Sequence, residues 1–197
     1  MNITNYILNN NLKNIFEIGV GNPNICRTLE LIDRQNIKLN LFEANPSTYN
    51  SLKKYLGNRN NVSLYNLAIF DRDGEILFCE DGDSSYVDEV ISPTKHNVPR
   101  IAATKKKINV PCKNIKNFDN GDIDVILIDT EGSEWIIIKE MVSRPKLIVI
   151  ETNNPDDHGN GPYETPNLDL IKQWMKSNNY KLIHKDLTDS YYEKSTL

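Results

Sequence analysis

Four carboxylates at the ends of three apolar runs are the side chains in this sequence best placed to do chemistry. Asp129 and Glu131 close the run Val125-Ile126-Leu127-Ile128 and are followed at once by Gly132. Glu17 sits inside Phe16-Glu17-Ile18-Gly19-Val20-Gly21, and Glu43 ends Leu41-Phe42-Glu43 before Ala44-Asn45-Pro46. An apolar run that stops at a carboxylate and a turn is the pattern of a strand whose carboxyl end opens on a crevice, where small molecules bind in parallel α/β sheets. Glycines at positions 19 and 21 let a ligand approach the backbone, although the same pair is also an ordinary tight turn. Glu43 falls 22 residues after Gly21, where the next parallel strand should end, and a carboxylate there can accept both hydroxyls of a ribose. Together these residues predict a nucleoside-containing cofactor.

A nicotinamide dinucleotide uses the same ribose carboxylate but needs a third glycine to seat its diphosphate, and Pro23-Asn24 stands in that place. Glu17 within the glycine turn also favours a cationic group, such as the amino acid moiety of S-adenosylmethionine, over a diphosphate. The Tyr49/Lys53 pair lies in the cofactor half and reads as a surface pair. Among the acidic residues, Asp129, Glu131 and Glu151 could offer oxygen ligands to Mg²⁺, but no histidine or adjacent Asp-Asp supports a metal and none is expected.

The elements that must position these residues are near-continuous apolar runs, the signature of strands covered on both faces. They cover Asn14 to Val20, Lys38 to Ala44, Val62 to Ile69, Asp124 to Asp129 and Lys146 to Glu151. Helical stretches are expected at Asn24 to Gln35, Pro46 to Leu56, Ser133 to Val142 and Asn167 to Asn178, which makes the alternation that builds a parallel sheet with right-handed crossovers. Asp71 to Asp122 breaks the rhythm and reads as an irregular insertion holding short strands at Glu75 to Cys79 and Lys107 to Cys112, with Lys95 to Thr104 mobile or lid-like. The Asn, Asp, Gly and Pro of 153–166 predict a loop at the carboxyl edge that meets the acceptor, with His158 in it. Two final strands are expected at Tyr180 to His184 and Asp189 to Lys194.

Composition bounds the rest. The 197 residues, 39% hydrophobic and 25% charged, suit one domain spanning 1–197, in which the lead of residues 1–13 is short enough for either a whole protein or an excised domain. A net charge of -4 argues against a surface that tracks nucleic-acid phosphates. No stretch approaches the length of a membrane span, and three widely spaced cysteines read as reduced thiols in a cytoplasmic protein.

From about Ile15 to Tyr180 the chain resembles the FkbM-type S-adenosylmethionine-dependent methyltransferases. Ile128-Asp129-Thr130-Glu131-Gly132-Ser133-Glu134 is similar to that family's I-D-x-E-G-x-E signature, and Phe42-Glu43-Ala44-Asn45-Pro46 to its F-E-x-N-P segment. Asn66-Leu67-Ala68-Ile69 and Ile148-Val149-Ile150-Glu151 match its third strand and the strand that ends in Glu. The first loop departs, reading E-I-G-V-G-N-P-N where the family often has D-x-G-A-N-x-G. The resemblance implies a three-layer, Rossmann-like class I methyltransferase fold with a mostly parallel sheet of about seven strands and helices on both faces. It also implies methylation of a hydroxyl on a small acceptor such as a sugar or glycoconjugate.

On this reading Glu17, Gly19 and Gly21 line the methionine end of the cofactor, Glu43 with Ala44 the ribose, and Asn66 with Ala68 the adenine edge. Asp129, Glu131 and His158 face the acceptor. Two alternatives stay open: a degenerate domain that keeps the fold without turnover, and a nicotinamide-dependent oxidoreductase.

Overall fold

A computed structural model describes residues 1–97, 99–153, 164–186 and 188–195. After a short helix α1 (Ile3–Asn9), strands β1 (Asn14–Ile18) and β2 (Lys38–Phe42) enter the main sheet. They are followed by α2 (Pro46–Leu56) and β3 (Val62–Tyr65). A second, smaller sheet is then built from β4 (Ala68–Phe70), β5 (Gly74–Glu80), β6 (Tyr86–Val87) and β7 (Lys106–Asn114), with one-turn helices α3 (Pro93–Asn97) and α4 (Pro99–Ala102) before β7. The chain returns to the main sheet through β8 (Val125–Ile128), α5 (Glu134–Ile138), β9 (Leu147–Glu151), α6 (Leu168–Ser177), β10 (Tyr180–Lys185) and β11 (Asp189–Lys194).

The main sheet has seven strands in the order β10-β11-β9-β8-β1-β2-β3. Strands β3, β2, β1, β8 and β9 run parallel, while β11 and β10 are antiparallel, as a tight turn between consecutive strands requires. Alternation along each strand sorts the core into two layers. Ile15, Leu39, Leu41, Val125, Leu127 and Val149 pack on α1 and α2 through Ile7, Leu52 and Leu56. Phe16, Ile18, Phe42, Ile126, Ile128 and Ile150 pack on α5 and α6 through Ile137, Ile138 and Ile171. Both faces are covered, which is why the central strands β8 and β9 are apolar up to their carboxyl ends.

Two expected elements take a different form. The run Val62 to Ile69 is not one strand: Asn66 donates from Nδ2 to the carbonyls of Glu43 and Ala44, the chain turns there, and β4 pairs with β7 in the small sheet. The short strands expected at Glu75 to Cys79 and Lys107 to Cys112 are present as β5 and β7, and instead of an irregular insertion they join β4 and β6 in an ordered four-stranded sheet, β4-β7-β5-β6, with its own core of Phe70, Ile76, Phe78, Val87 and Val110. The segment Asn24 to Gln35 forms turns and a single 3₁₀ turn at Leu29–Leu31 instead of an α-helix. Glu17 explains this locally, because its carboxylate accepts from the backbone N–H groups of Arg27 and Thr28 at 2.9 and 3.2 Å and from the Thr28 hydroxyl at 2.5 Å.

Candidate functional site

The strand order reverses at β1, whose neighbours are β2 on one side and β8 on the other. Reversal opens a crevice at the carboxyl ends, and three strand ends meet there. Gly19 donates to the Phe42 carbonyl at 3.0 Å and Asp129 donates to the Ile18 carbonyl at 3.0 Å, so the ends of β1, β2 and β8 are joined by backbone hydrogen bonds. At Gly19 (φ +77°) a Cβ would stand 1.7 Å from the Asp129 carbonyl oxygen. This glycine is required by the neighbouring strand end as well as by any ligand. Gly19→Ala should therefore yield little folded protein, as judged by circular dichroism and soluble yield.

Above these ends lies a cleft of about 910 Å³ including its open mouth. One wall is Gly19, Gly21, Glu43 and Ala44 from the main sheet, and the other is Phe78, Val87 and the turn Gly82–Ser85 from the small sheet. Leu67, Ala68 and Ile69, the crossing between the sheets, close one end, and Asp129, Thr130, Glu131 and Ser133 form the other. Among the described residues four carboxylates line this space, and no Lys or Arg does. Glu43 is buried, with Oε2 accepting from the Gly21 N–H at 2.9 Å and Oε1 from the Asn45 N–H at 2.8 Å. Burial raises its pKa against those two donors, and the charge of Asp83 adds to the rise.

A family model, the Methyltransferase FkbM domain, matches residues 9–182. The chain belongs to the FkbM methyltransferase family. Its fold is similar to that of the methyltransferase FkbM from Methylobacillus flagellatus KT, with a TM-score of 0.56 and 11% identity over 92% of this chain and 43% of that one. The present chain thus spans less than half the length of that protein. It is also similar to a candidate caffeoyl-CoA O-methyltransferase from Staphylococcus aureus (TM-score 0.55, 16% identity, 98% of this chain and 81% of that one). A third similar fold is the methyltransferase domain of bacterial CtHen1-C (TM-score 0.54, 12% identity, 98% and 95% of the two chains). No curated protein sequence matches the chain.

In this FkbM domain the signature residues divide by task. Glu134, fully buried at the start of α5, accepts on Oε1 from the Thr130 N–H, the Thr130 hydroxyl and the Gly132 N–H, and so shapes the turn after β8. That turn holds Glu131 at φ +56°, a left-handed conformation costing a non-glycine residue roughly 1–2 kcal/mol. Its side chain lines the cleft. Burial, then the charges of Asp129, Glu134 and Asp81, push its pKa up to about 8 against a hydrogen bond from Ser84. Glu151, at the end of β9, is raised well above the usual carboxylate range, first by burial and then by Asp129. Its Oε1 accepts from Asn153 Nδ2 at 2.7 Å.

Arg27 was not singled out by its sequence context, because it stands in a stretch read as a helix. In the structure its Nη2 donates to Asp129 Oδ2 at 2.5 Å and lies 3.1 Å from Asp189 Oδ2, bridging the ends of β8 and β11. Only tertiary contact could reveal it.

Of the residues expected at the cofactor, Gly19, Gly21, Glu43, Ala44 and Ala68 line the cleft. Glu17 does not, since its oxygens are taken by the turn at 26–28, and Asn66 is engaged with the Glu43 and Ala44 carbonyls instead. Asp129 and Glu131 stand together at one end, while His158 lies outside the described residues, as do 154–163 of the expected acceptor loop. Among the described residues no three His, Cys, Asp or Glu side chains form a group that could hold a metal ion, and the Asp129, Glu131 and Glu151 set is not one. Among them, too, no helix is long and apolar enough to cross a membrane.

Proposed function

We propose that this domain is an S-adenosylmethionine-dependent O-methyltransferase acting on a hydroxyl of a small acceptor, a sugar or glycoconjugate. The observation that carries the reading is that one cleft is lined both by Glu43, at the end of the second strand where a ribose carboxylate is expected, and by the carboxylate of Glu131 at the end formed by the signature turn. The cleft suits the cofactor chemically. Leu67, Ala68, Phe78 and Val87 offer an apolar slot for a flat base, Glu43 offers acceptors for hydroxyls, and Asp129 complements a cationic methionine end. When bound, the cofactor supplies an electrophilic methyl group on a sulfonium.

A sugar hydroxyl is a poor nucleophile while protonated, so a base must remove its proton as the oxygen attacks. Glu131 is the candidate, with its carboxyl poised by burial and by its neighbour Asp129. Asp129 stays fixed by Arg27 and gives that end of the cleft its negative character. His158 is a second candidate at the acceptor. The three cysteines, all buried and unpaired, suit a reducing compartment such as the cytoplasm.

Calorimetric titration with S-adenosylmethionine and S-adenosylhomocysteine, with NADH as control, tests the reading. Micromolar binding of the adenosyl ligands alone is expected, and folded protein that binds neither would overturn it. The rate of S-adenosylhomocysteine release with a panel of free sugars and glycosides should rise with pH and level off above about 8, because the base works only when ionised. Glu131→Gln should lower that rate by roughly 10²–10⁴-fold and flatten the profile while leaving adenosyl-ligand affinity within a few fold. A pH profile unchanged by the substitution would remove Glu131 from the role.

A further inference from the structure

Glu43 and Asp83 reach the same point of the cleft from opposite walls. Glu43 ends β2 of the main sheet, whereas Asp83 rides on the one-turn segment Gly82–Ser84 between β5 and β6 of the small sheet. Glu43 Oε2 accepts the Gly21 N–H at 2.9 Å. Asp83 Oδ1 lies 3.8 Å from the point where a Cβ on Gly21 would stand. The glycine turn therefore passes between two carboxylates that share a cleft, and their charges are close enough for Asp83 to push the Glu43 carboxyl up.

The position of Asp83 is built. Its other oxygen, Oδ2, accepts from Asn22 Nδ2 at 2.7 Å, which ties it to the glycine turn. The segment carrying it is closed by Ser85, whose hydroxyl donates to the Gly82 carbonyl at 2.6 Å and accepts from the Asp81 N–H at 2.9 Å. Asn45 Nδ2 reaches the same hydroxyl at 3.1 Å, and the Asn45 N–H is one of the two donors on Glu43. Both carboxylates are thus referenced to one small frame of residues, 21–22 and 43–45.

Two like charges lining one stretch of a cleft are unfavourable unless a ligand there donates to both. A phosphate there would make matters worse. Neighbouring hydroxyls on one ring answer the arrangement, since each can donate to one carboxylate without adding charge. Resting on the reading of this cleft as an adenosyl-cofactor site, we propose that Asp83 is a second ribose-holding carboxylate, taking one hydroxyl of the cofactor while Glu43 takes the other. The small sheet would then contribute directly to cofactor selection, and cofactors bearing a phosphate on that ribose would be excluded.

Calorimetry on the whole chain separates the possibilities, with S-adenosylhomocysteine and its 2′-deoxy and 3′-deoxy analogues titrated into the wild type, Asp83→Asn and Glu43→Gln. Asp83→Asn should weaken binding of the parent ligand about tenfold, a loss that disappears for one deoxy analogue. The loss in Glu43→Gln should disappear for the other. Wild-type affinity in Asp83→Asn overturns the proposal, and so does an equal loss toward all three ligands, which would make Asp83 a mere support for its turn. A wild type that binds no S-adenosylhomocysteine overturns the cofactor reading itself, and this proposal with it.

Discussion

Glu43→Ala should weaken S-adenosylhomocysteine binding by at least about 100-fold, the largest effect on ligand affinity expected from one substitution in this domain. Each hydrogen bond from a ligand hydroxyl to a charged carboxylate contributes roughly 1.5–3 kcal/mol. The same side chain also holds the Gly21 and Asn45 N–H groups, so its loss loosens both turns that frame the cleft. The fold should survive with reduced stability, since these N–H groups belong to turns at the strand ends and not to the strand ladders. Glu43→Gln keeps one acceptor oxygen and should fall between the two. The pH dependence has a definite sign: burial raises the Glu43 pKa, so affinity should decline on acidification at a higher pH than an ordinary carboxylate would give. Unchanged affinity in Glu43→Ala, measured by calorimetry on protein shown to be folded, would sink the ribose assignment.

Arg27→Ala should cost roughly 3–5 kcal/mol of stability, or a drop in melting temperature on the order of 10 °C. The guanidinium lies between Asp129 and Asp189, both partly buried, and without it each faces the other uncompensated. Both carboxyls already sit above their ordinary pKa because burial outweighs the attraction of Arg27. For such groups the native state binds more protons than the unfolded chain once pH exceeds the ordinary carboxylate range, so stability falls as pH rises through that window. Removing Arg27 raises them further. The gap between variant and wild type should accordingly be small near pH 4–5, where the carboxyls can protonate, and full near pH 8. Arg27→Lys should recover only part of the loss, because a single ammonium lacks the fork that spans two carboxylates. Equal melting temperatures for wild type and Arg27→Ala at pH 8 would show that the bridge contributes nothing.

Much of the fold was legible because apolar runs and their endings are local signals. Four of the five parallel strands and the two closing ones are where the runs placed them, and the signature at 128–134 marked the strand end that, with Glu43 and the glycine turn, frames the cleft. The misreadings have a common cause. Ile25, Leu29 and Ile32 have helical spacing, but a buried carboxylate on the preceding strand captures the N–H groups of Arg27 and Thr28 and holds the chain in turns. Val62 to Ile69 is mostly apolar and reads as one run, but the Asn66 side chain reaches back to the 43–44 carbonyls where the chain turns toward the other sheet.

Residue types and spacing by themselves determined a parallel α/β domain with carboxylates at three strand ends, since burial on both faces and the glycine turn are written in short stretches of chain, and the motifs at 42–46 and 128–134 carried the resemblance to the FkbM family. What each carboxylate does was decided by tertiary structure alone. Glu17 props a turn, Glu134 shapes a loop, Glu43 and Asp83 meet across a cleft from two sheets, and Asp129 is held by an arginine 102 residues away. Charge and hydrogen bonding act through space, so a carboxylate's role follows from burial and from partners that are distant in sequence.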